Sequence, residues 1–463
     1  MTYDICIIGG GPGGYTAAIK GAQLGGKVAL VEKEALGGTC LNHGCIPTKN
    51  LYSVSEMIRN IKESSRLGLQ VSGLKFDMDE IQDKKTEVVE HLKGGIYKLF
   101  KDHGIDLYEG KGSISGEGSV VVERPSGTQV LETKNIIIAS GSEASDIPPL
   151  RIDGKKVLGN REVLSLRTVP ERMTIVGGGP IGCEFANIFS RLGSEVTLVE
   201  VMDRLLPFCE KEISRIVKKR FEDMGVKVIL GSGVDTARIS EKEVVVNLTD
   251  GSEIESSVVL MAVGRRLNSF NLGLEEAGIE MDGNAVKVDD RMETSLKSVY
   301  AVGDVTGRMA LAHVAAHQGK IAAENALGGD CRMDYSVIPW AVFINPEVAS
   351  VGRSEESLKN EGVSYQVGRF PYLANGKAVA MREEDGFVKV LASSEDKKVL
   401  GVHILGAHAS DMVAEAALAM KMGCTIEDIS DTIHAHPTLA ETLLEAAEDT
   451  EGLAIHKMGR RSR

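Results

Sequence analysis

Gly37-Gly38-Thr39-Cys40-Leu41-Asn42-His43-Gly44-Cys45-Ile46-Pro47-Thr48-Lys49 places two cysteines close together in an otherwise apolar, glycine-rich segment. The five-position step from one to the other would rise roughly 7.5 Å in a helix, and a disulfide needs its Cα atoms within about 7 Å, so a bridge here demands a distorted turn. Gly44 gives the backbone that freedom, and a strained bridge is easier to reduce. Pro47 suits a first helical turn. With a helix starting near Cys45, Lys49 falls one turn on, on the same face, where an ammonium stabilises a thiolate. On spacing alone, a redox pair, two buried structural thiols and half a zinc site all stay open. A zinc site needs four ligands, and no second cysteine pair has ligand spacing, so no metal is expected.

The rest of the composition bounds the setting. At 463 residues the chain holds several domains. A formal net charge of -13 argues against nucleic acid or anionic membrane as a partner. Lys457, Arg460, Arg461 and Arg463 read as a solvated tail. Seven cysteines in such a chain do not make a secreted disulfide framework, and Cys6, Cys183, Cys209, Cys331 and Cys424 read as reduced, buried thiols. Met1-Thr2-Tyr3-Asp4 runs straight into a strand pattern, with neither a leader nor an apolar run of membrane length. A reducing, cytoplasmic setting is expected.

Two stretches flanking the cysteines bind nucleotides by pattern. Tyr3 to Ile8 reads as a buried strand, and Gly9, Gly11 and Gly14 complete G-x-G-x-x-G ahead of a helix over Tyr15 to Leu24. Such glycines allow a tight turn and close approach of backbone to a pyrophosphate, which the helix N-terminus attracts. Val28 to Glu32 is the next strand, and Glu32 accepts from ribose hydroxyls. The pattern recurs at Met173 to Val176, Gly177, Gly179, Gly182 and Val196 to Glu200, with identical glycine-to-acid spacing. Two copies imply two dinucleotides. Glu200 accepts from the 2′-OH of NAD and repels the 2′-phosphate of NADP, with Arg204 as the residue that could soften that preference. Glu184, inside the second helix, has a solvated helix acid as its plain reading.

Between and beyond these copies, Thr48 to Leu67 and Asp77 to His103 read as helices, with Gly94-Gly95 a candidate bend. Ile105–Tyr108, Val120–Glu123, Val130–Glu132 and Ile136 to Ser140-Gly141 read as strands, with a hairpin at Ser126-Gly127. Glu210 to Met224 reads as an amphipathic helix, and Val226–Leu230, Val244–Leu248 and Val258–Val263 as strands closing at Gly264. A strand from Ser295 ends at Gly303-Asp304, and Leu311-Ala312-His313 opens a helix to Leu327. From about Pro346, Ala349–Gly352, Tyr365–Tyr372, Gly386–Ala392 and Val399–Leu405 predict a small antiparallel sheet, with helices at His408 to Met422 and Ile426 to Ile433. His436 precedes Pro437, and Glu441 at the start of a last helix lies within reach of its imidazole. By residue type alone, His313, His434 and His436 each read as structural.

The cysteine string, both fingerprints, Gly303-Asp304 and His436-Pro437-Thr438 with Glu441 together resemble the pyridine nucleotide–disulfide oxidoreductases, over the whole chain. Ser140 and Leu267 depart from that family's usual Thr and Pro. The resemblance implies an α/β fold with two Rossmann-like domains, for FAD and NAD, and a C-terminal α+β dimerisation domain. The implied division is 1–149 and 271–345 for FAD, 150–270 for NAD and 346–463 for the interface. It implies a homodimer, Cys40 for thiol exchange, Cys45 for the flavin, and His436 with Glu441 as acid–base pair for the other subunit. Lys49 and Glu184 are implied where hydride crosses. Gly9, Gly11, Gly14, Glu32, Lys33, Thr39, Lys49, Ser140, Gly141, Asp304, Leu311, Ala312 and His313 are implied for FAD; Gly177, Gly179, Gly182, Glu200 and Gly264 for NAD.

Glu200 and a tail, Gly452 to Arg463, without a cysteine pair fit the family members that oxidise protein-bound dihydrolipoamide with NAD. Their partners are lipoyl domains and the acyltransferase core of a 2-oxoacid dehydrogenase complex, or the glycine-cleavage lipoyl carrier. The chain starts at its first strand, so no N-terminal lipoyl domain is expected. An NADH-dependent reductase of a low-molecular-weight disulfide is the alternative, and a mainly docking role within a complex is a third.

Overall fold

The computed structural model describes residues 2–458; Arg460, Arg461 and Arg463 of the expected tail lie outside the described residues. Lys457 is described and is not free in solvent: its Nζ donates to the Arg369 carbonyl at 2.7 Å and to Asp449 at 2.5 Å. The two nearby acceptors outcompete hydration of this one amine.

Thr2–Ile8, Val28–Glu32 and Asp106–Glu109 pair in parallel, and Thr2–Ile8 also pairs in parallel with Gly127–Ile138. Their near-continuous apolar runs follow from burial on both faces of a parallel sheet. Ile5, Ile7, Leu30, Ile137 and Ile138 are fully buried, each contributing about 1.5–3 kcal/mol. Gly127–Ile138 is one strand where the sequence predicts two. Its polar first half pairs antiparallel with Ser119–Arg124, and its apolar second half enters the parallel core. The change of environment, rather than a break in the backbone, interrupts the hydrophobic pattern. Val299–Ala301 joins on the far side of that strand; it is shorter than the predicted Ser295 strand, because Asp289 to Ser298 is tied up in local turns.

Helix α1 spans Pro12–Gln23, starting three residues ahead of expectation because Pro12 sits in its first turn. The redox stretch forms two helices, α2 (Gly38–His43) and α3 (Cys45–Lys62), so the predicted Thr48 start is too late. A 3₁₀ turn, Ser64–Leu67, follows a break at Glu63. Met78–Asp102 runs as one helix through Gly94-Gly95, capped by the Asp77 carboxylate on the Asp79 N–H at 2.8 Å.

The second unit repeats the plan. Its parallel sheet orders Lys227–Leu230, Glu195–Glu200, Arg172–Val176, Val258–Met261 and Val157–Leu158, with helix Pro180–Leu192 after the glycine turn. The sequence reading missed Val234–Ile239 and Glu253–Ser256, half-exposed strands that flank Val244–Leu248 in a separate sheet. The chain enters this unit after Ser142–Ala144 and leaves it through Arg265–Leu267, and those strands pair antiparallel.

The C-terminal sheet is antiparallel and five-stranded. Besides the four predicted strands it takes Trp340–Val342 at one edge, ahead of the expected change at Pro346. Lys389 in this sheet is almost wholly buried and reaches Glu210 of the second unit at 2.8 Å, so a charge-paired contact joins the two.

Candidate active site

Both nucleotide turns are built alike. Gly9 adopts φ +108°, and a Cβ there would lie 2.3 Å from the Ala139 carbonyl oxygen. A Cβ on Gly14 would lie 1.8 Å from the Gly9 carbonyl, so α1 docks on its strand only without side chains. Gly177 and Gly182 repeat these contacts, at 2.3 Å from the Ala262 carbonyl and 1.8 Å from the Gly177 carbonyl. Nothing lies within 4 Å of the Cβ position of Gly179 or of Gly264, leaving open space above the second turn. Glu32 accepts from the Gly10 N–H at 2.6 Å and the Glu34 N–H at 2.8 Å. Glu200 accepts from the Gly178 N–H at 2.6 Å and the Met202 N–H at 2.8 Å. Each carboxylate is thus fixed at its strand end beside unpaired helix N–H groups, the chemistry a dinucleotide needs. Arg204 is held away, on the Pro207 carbonyl at 2.8 Å and Glu356 at 3.2 Å. Lys33 is exposed.

The cysteines stand on either side of the break between α2 and α3. Gly44 stands between them at φ −149°, ψ −113°, neither helical nor extended, as the expected freedom of a glycine allows. Glycine serves there for space as well: a Cβ would meet the Thr39 carbonyl at 2.9 Å. At the other end of α2, a Cβ on Gly38 would lie 2.6 Å from the Gly11 Cα. The redox helix therefore lies against the first glycine turn, with Thr39 half-buried beside it. Both cysteines are thiols. A hydrogen bond from Cys40 lowers the Cys45 pKa, against burial, with the Lys49 charge adding to it. The same bond, then burial, pushes Cys40 up. Of the two, Cys45 is the better thiolate. Cys6 is pushed up to about 12 by burial and Cys183 is raised by the same cause.

Lys49 Nζ reaches both Glu184 oxygens at 2.9 Å. Glu184 is buried, not a solvated helix acid, because α3 packs along helix Pro180–Leu192. This pair spans the two nucleotide units.

Asp304 is the second residue of the turn Gly303–Thr306. It accepts from Ser142 and stands 3.5 Å from Arg265, which donates to Ser142 Oγ at 2.6 Å. Ser140 donates to the Asn268 carbonyl at 2.7 Å, and Gly141 follows at φ +71°. Leu311 caps helix Ala312–Ala326, which crosses α1 so closely that a Cβ on Gly319 would lie 2.3 Å from the Gly13 carbonyl. His313 Nε2 bonds the Pro339 carbonyl at 2.8 Å.

His436 Nδ1 lies 2.8 Å from Glu441 Oε1. A carboxylate only accepts, so Nδ1 carries the proton and Nε2 is left as a base. Burial pushes the Glu441 carboxyl up, but bonds from the Thr438 N–H and His436 outweigh it and hold it below its usual range. The His436 side chain is 78 % exposed, and among the described residues no hydrogen bond joins it to the cysteine segment of its own chain. His434 instead has both nitrogens engaged, on the Thr432 carbonyl at 2.8 Å and Glu415 at 2.9 Å, which keeps it structural. Among the described residues no group of three or more ligating side chains could hold a metal.

The family described as pyridine nucleotide-disulphide oxidoreductase matches residues 3–319, and its dimerisation domain matches residues 338–447. The chain belongs to this family. The matched dimerisation domain makes it a homodimer-forming member. Dihydrolipoyl dehydrogenase of Haloferax volcanii is 41% identical over 99% of this chain and 98% of its own length. The mitochondrial dihydrolipoyl dehydrogenase of Macaca fascicularis is 42% identical over 96% of this chain and 89% of its own. The crystal structure of LpdA from Mycobacterium tuberculosis superposes with a TM-score of 0.91 at 27% identity, covering 96% of this chain and 98% of that one. No helix among the described residues is long and apolar enough to cross a membrane.

Sequence reading missed Arg265 and Ser142, which hold Asp304, and Phe343, whose N–H donates to Glu184 at 3.1 Å. Arg265, directly after Gly264, had a signal in its motif position; Phe343 had none.

Proposed function

We propose that this family member is a dihydrolipoyl dehydrogenase, oxidising protein-bound dihydrolipoamide with NAD. The observation that carries it is the ordered Cys40–Cys45 pair, set against one nucleotide turn and bridged through Lys49 and Glu184 to the helix of the other. The full-length likeness to dihydrolipoyl dehydrogenases supports the substrate class.

Gly9, Gly11, Gly14, Glu32, Lys33, Thr39, Lys49, Ser140, Gly141, Asp304, Leu311, Ala312 and His313 would hold FAD, and Gly177, Gly179, Gly182, Glu200 and Gly264 would hold NAD. His436 Nε2, in the partner's site, takes the proton of one substrate thiol, and Glu441 stabilises the imidazolium. The substrate thiolate attacks Cys40 of the oxidised pair, and Cys45 leaves as a thiolate beside Lys49. The second substrate thiol, giving up its proton, closes on the first sulfur and expels Cys40, which is protonated. The cyclic disulfide departs, and two electrons remain in the Cys40–Cys45 dithiol. FAD bound there would supply the two-electron carrier between that dithiol and NAD. Glu200, with Arg204 tied elsewhere, favours NAD over NADP.

The division 1–149 and 271–345, 150–270, and 346–463 is part of this reading. So are a cytoplasmic setting and docking to lipoyl domains and the acyltransferase core of a 2-oxoacid dehydrogenase complex, or to the glycine-cleavage lipoyl carrier. The test is turnover of dihydrolipoamide with NAD beside NADP. Fast reduction of NAD with little NADP signal is expected; no dihydrolipoamide turnover with either nucleotide removes the substrate assignment.

A further inference from the structure

Three consecutive residues of the C-terminal unit reach the seam between α3 and helix Pro180–Leu192. The Phe343 N–H donates to Glu184 Oε1 at 3.1 Å. The Tyr52 hydroxyl of α3 donates to the Ile344 carbonyl at 3.2 Å. Asn345 Nδ2 donates to Glu56 Oε2 at 3.2 Å. Lys49 and Glu56 share one face of α3, two turns apart, so these bonds clamp both ends of the seam. The Phe343 ring does more than fill space. Lys49 Nζ lies over it, 4.2 Å from the centroid, and the ring meets Tyr52 edge-on with centroids 6.1 Å apart. The ammonium is thus bracketed, with carboxylate on one side and an aromatic face on the other.

That bracket matters because a lysine side chain is long and rotatable, and holding it still costs entropy. The charged and titratable groups facing Cys45 are Cys40 from α2, Tyr15 from α1, Lys49 on its own helix and Glu184 from the helix opposite. Only Lys49 is cationic. Whatever fixes its amine fixes the balance between the one group that favours the thiolate by charge and the carboxylate that opposes it.

We propose that Phe343 is a positioning residue, whose ring and N–H together hold the Lys49–Glu184 pair so that the ammonium stays within reach of the Cys45 sulfur. The segment that follows edge strand Trp340–Val342 of the C-terminal sheet thereby completes the thiol site from behind, independently of His436. The proposal rests on the reading of Cys45 as the thiolate of the pair, and its test reads the thiol itself rather than turnover.

The test is the pH dependence of iodoacetamide alkylation at Cys45, located by peptide mass, on dithiothreitol-reduced holoprotein. Phe343→Leu keeps the N–H and loses the ring face. Its alkylation midpoint is expected to rise by about half a pH unit. Lys49→Met is expected to raise it further, and Phe343→Leu added to Lys49→Met to change nothing more. An unchanged midpoint in Phe343→Leu, or an equal rise in the Lys49→Met background, overturns the proposal. Tyr52→Phe removes the bond to the Ile344 carbonyl and leaves Phe343 intact, and serves if Phe343→Leu does not fold. A rise that Lys49→Met abolishes is expected there too, and no rise overturns the proposal. Dihydrolipoamide turnover on the same preparations separates the two readings. Lost turnover in the unaltered protein with a Lys49-dependent shift removes the substrate and keeps Phe343; the reverse removes Phe343 alone.

Discussion

Lys49 Nζ stands 2.9 Å from each carboxylate oxygen of Glu184, although the two residues belong to helices that follow different nucleotide turns. One ion pair therefore both ties the two units together and sets the charge beside the reactive thiols. Removing the cation leaves Glu184 buried with, among the described residues, only the Phe343 N–H as a partner. Lys49→Met is expected to destabilise the protein by about 1–3 kcal/mol, the cost of an under-satisfied buried acceptor. Urea unfolding at neutral pH, compared with Lys49→Met/Glu184→Met, checks it: the double variant is expected to recover part of the loss.

The two cysteines should titrate in opposite directions. Alkylation of the reduced protein is expected to give a midpoint below the ordinary thiol value of about 8.5 for Cys45 and above it for Cys40. Because the Cys45 pKa is lowered on folding, its thiolate stabilises the reduced protein above the unfolded thiol value, and that contribution is lost as pH falls through the folded value. The stability difference between the unaltered protein and Cys45→Ser, measured in denaturant across pH, is expected to shrink toward acid. Equal midpoints for the two thiols would remove the ordering.

His436→Ala is expected to lower dihydrolipoamide turnover by about 10²–10⁴-fold and Cys40→Ser to nearly abolish it, with the flavin spectrum unchanged in both. Glu441→Gln takes away the carboxylate that fixes the His436 ring and its tautomer, so dihydrolipoamide turnover is expected to fall, by less than in His436→Ala. Unchanged turnover would separate Glu441 from the chemistry.

Glu200→Ala removes the carboxylate that the Gly178 and Met202 N–H groups fix in place. Losing a charged acceptor of ribose hydroxyls is expected to raise KM for NAD about 10–100-fold, narrowing the gap to NADP. Steady-state KM for both nucleotides checks it.

Much of this site was legible in the sequence because its geometry is enforced locally. Gly9 and Gly14 must lack a Cβ for the turn to close, and that demand writes itself into spacing. Cys40 and Cys45 were legible as a pair, yet their order depended on Lys49, Glu184 and the hydrogen bond between them, which need the folded chain. By pattern alone Glu184 read as a surface acid, because its helix's burial comes from α3, far away in sequence, and only the resemblance set it with Lys49. Phe343 left no trace at all: a backbone N–H and a ring face carry no pattern until the C-terminal unit is folded onto α3. Gly127–Ile138 misled in the other direction, where a change from solvent to core imitated a loop.

The strands Ser142–Ala144 and Arg265–Leu267 run side by side in opposite directions. The chain thus departs for the second nucleotide unit and comes home through the same doorway. A module whose two ends meet can be exchanged without moving its host. The dinucleotide that the enzyme draws on is in that sense an interchangeable cartridge. A relative's unit with a different cofactor preference, spliced at this one doorway, would leave the thiol chemistry and the subunit contact untouched. What it would have to bring with it are acids at the places of Glu184 and Glu210, the cartridge's electrical contacts with Lys49 and with the buried Lys389.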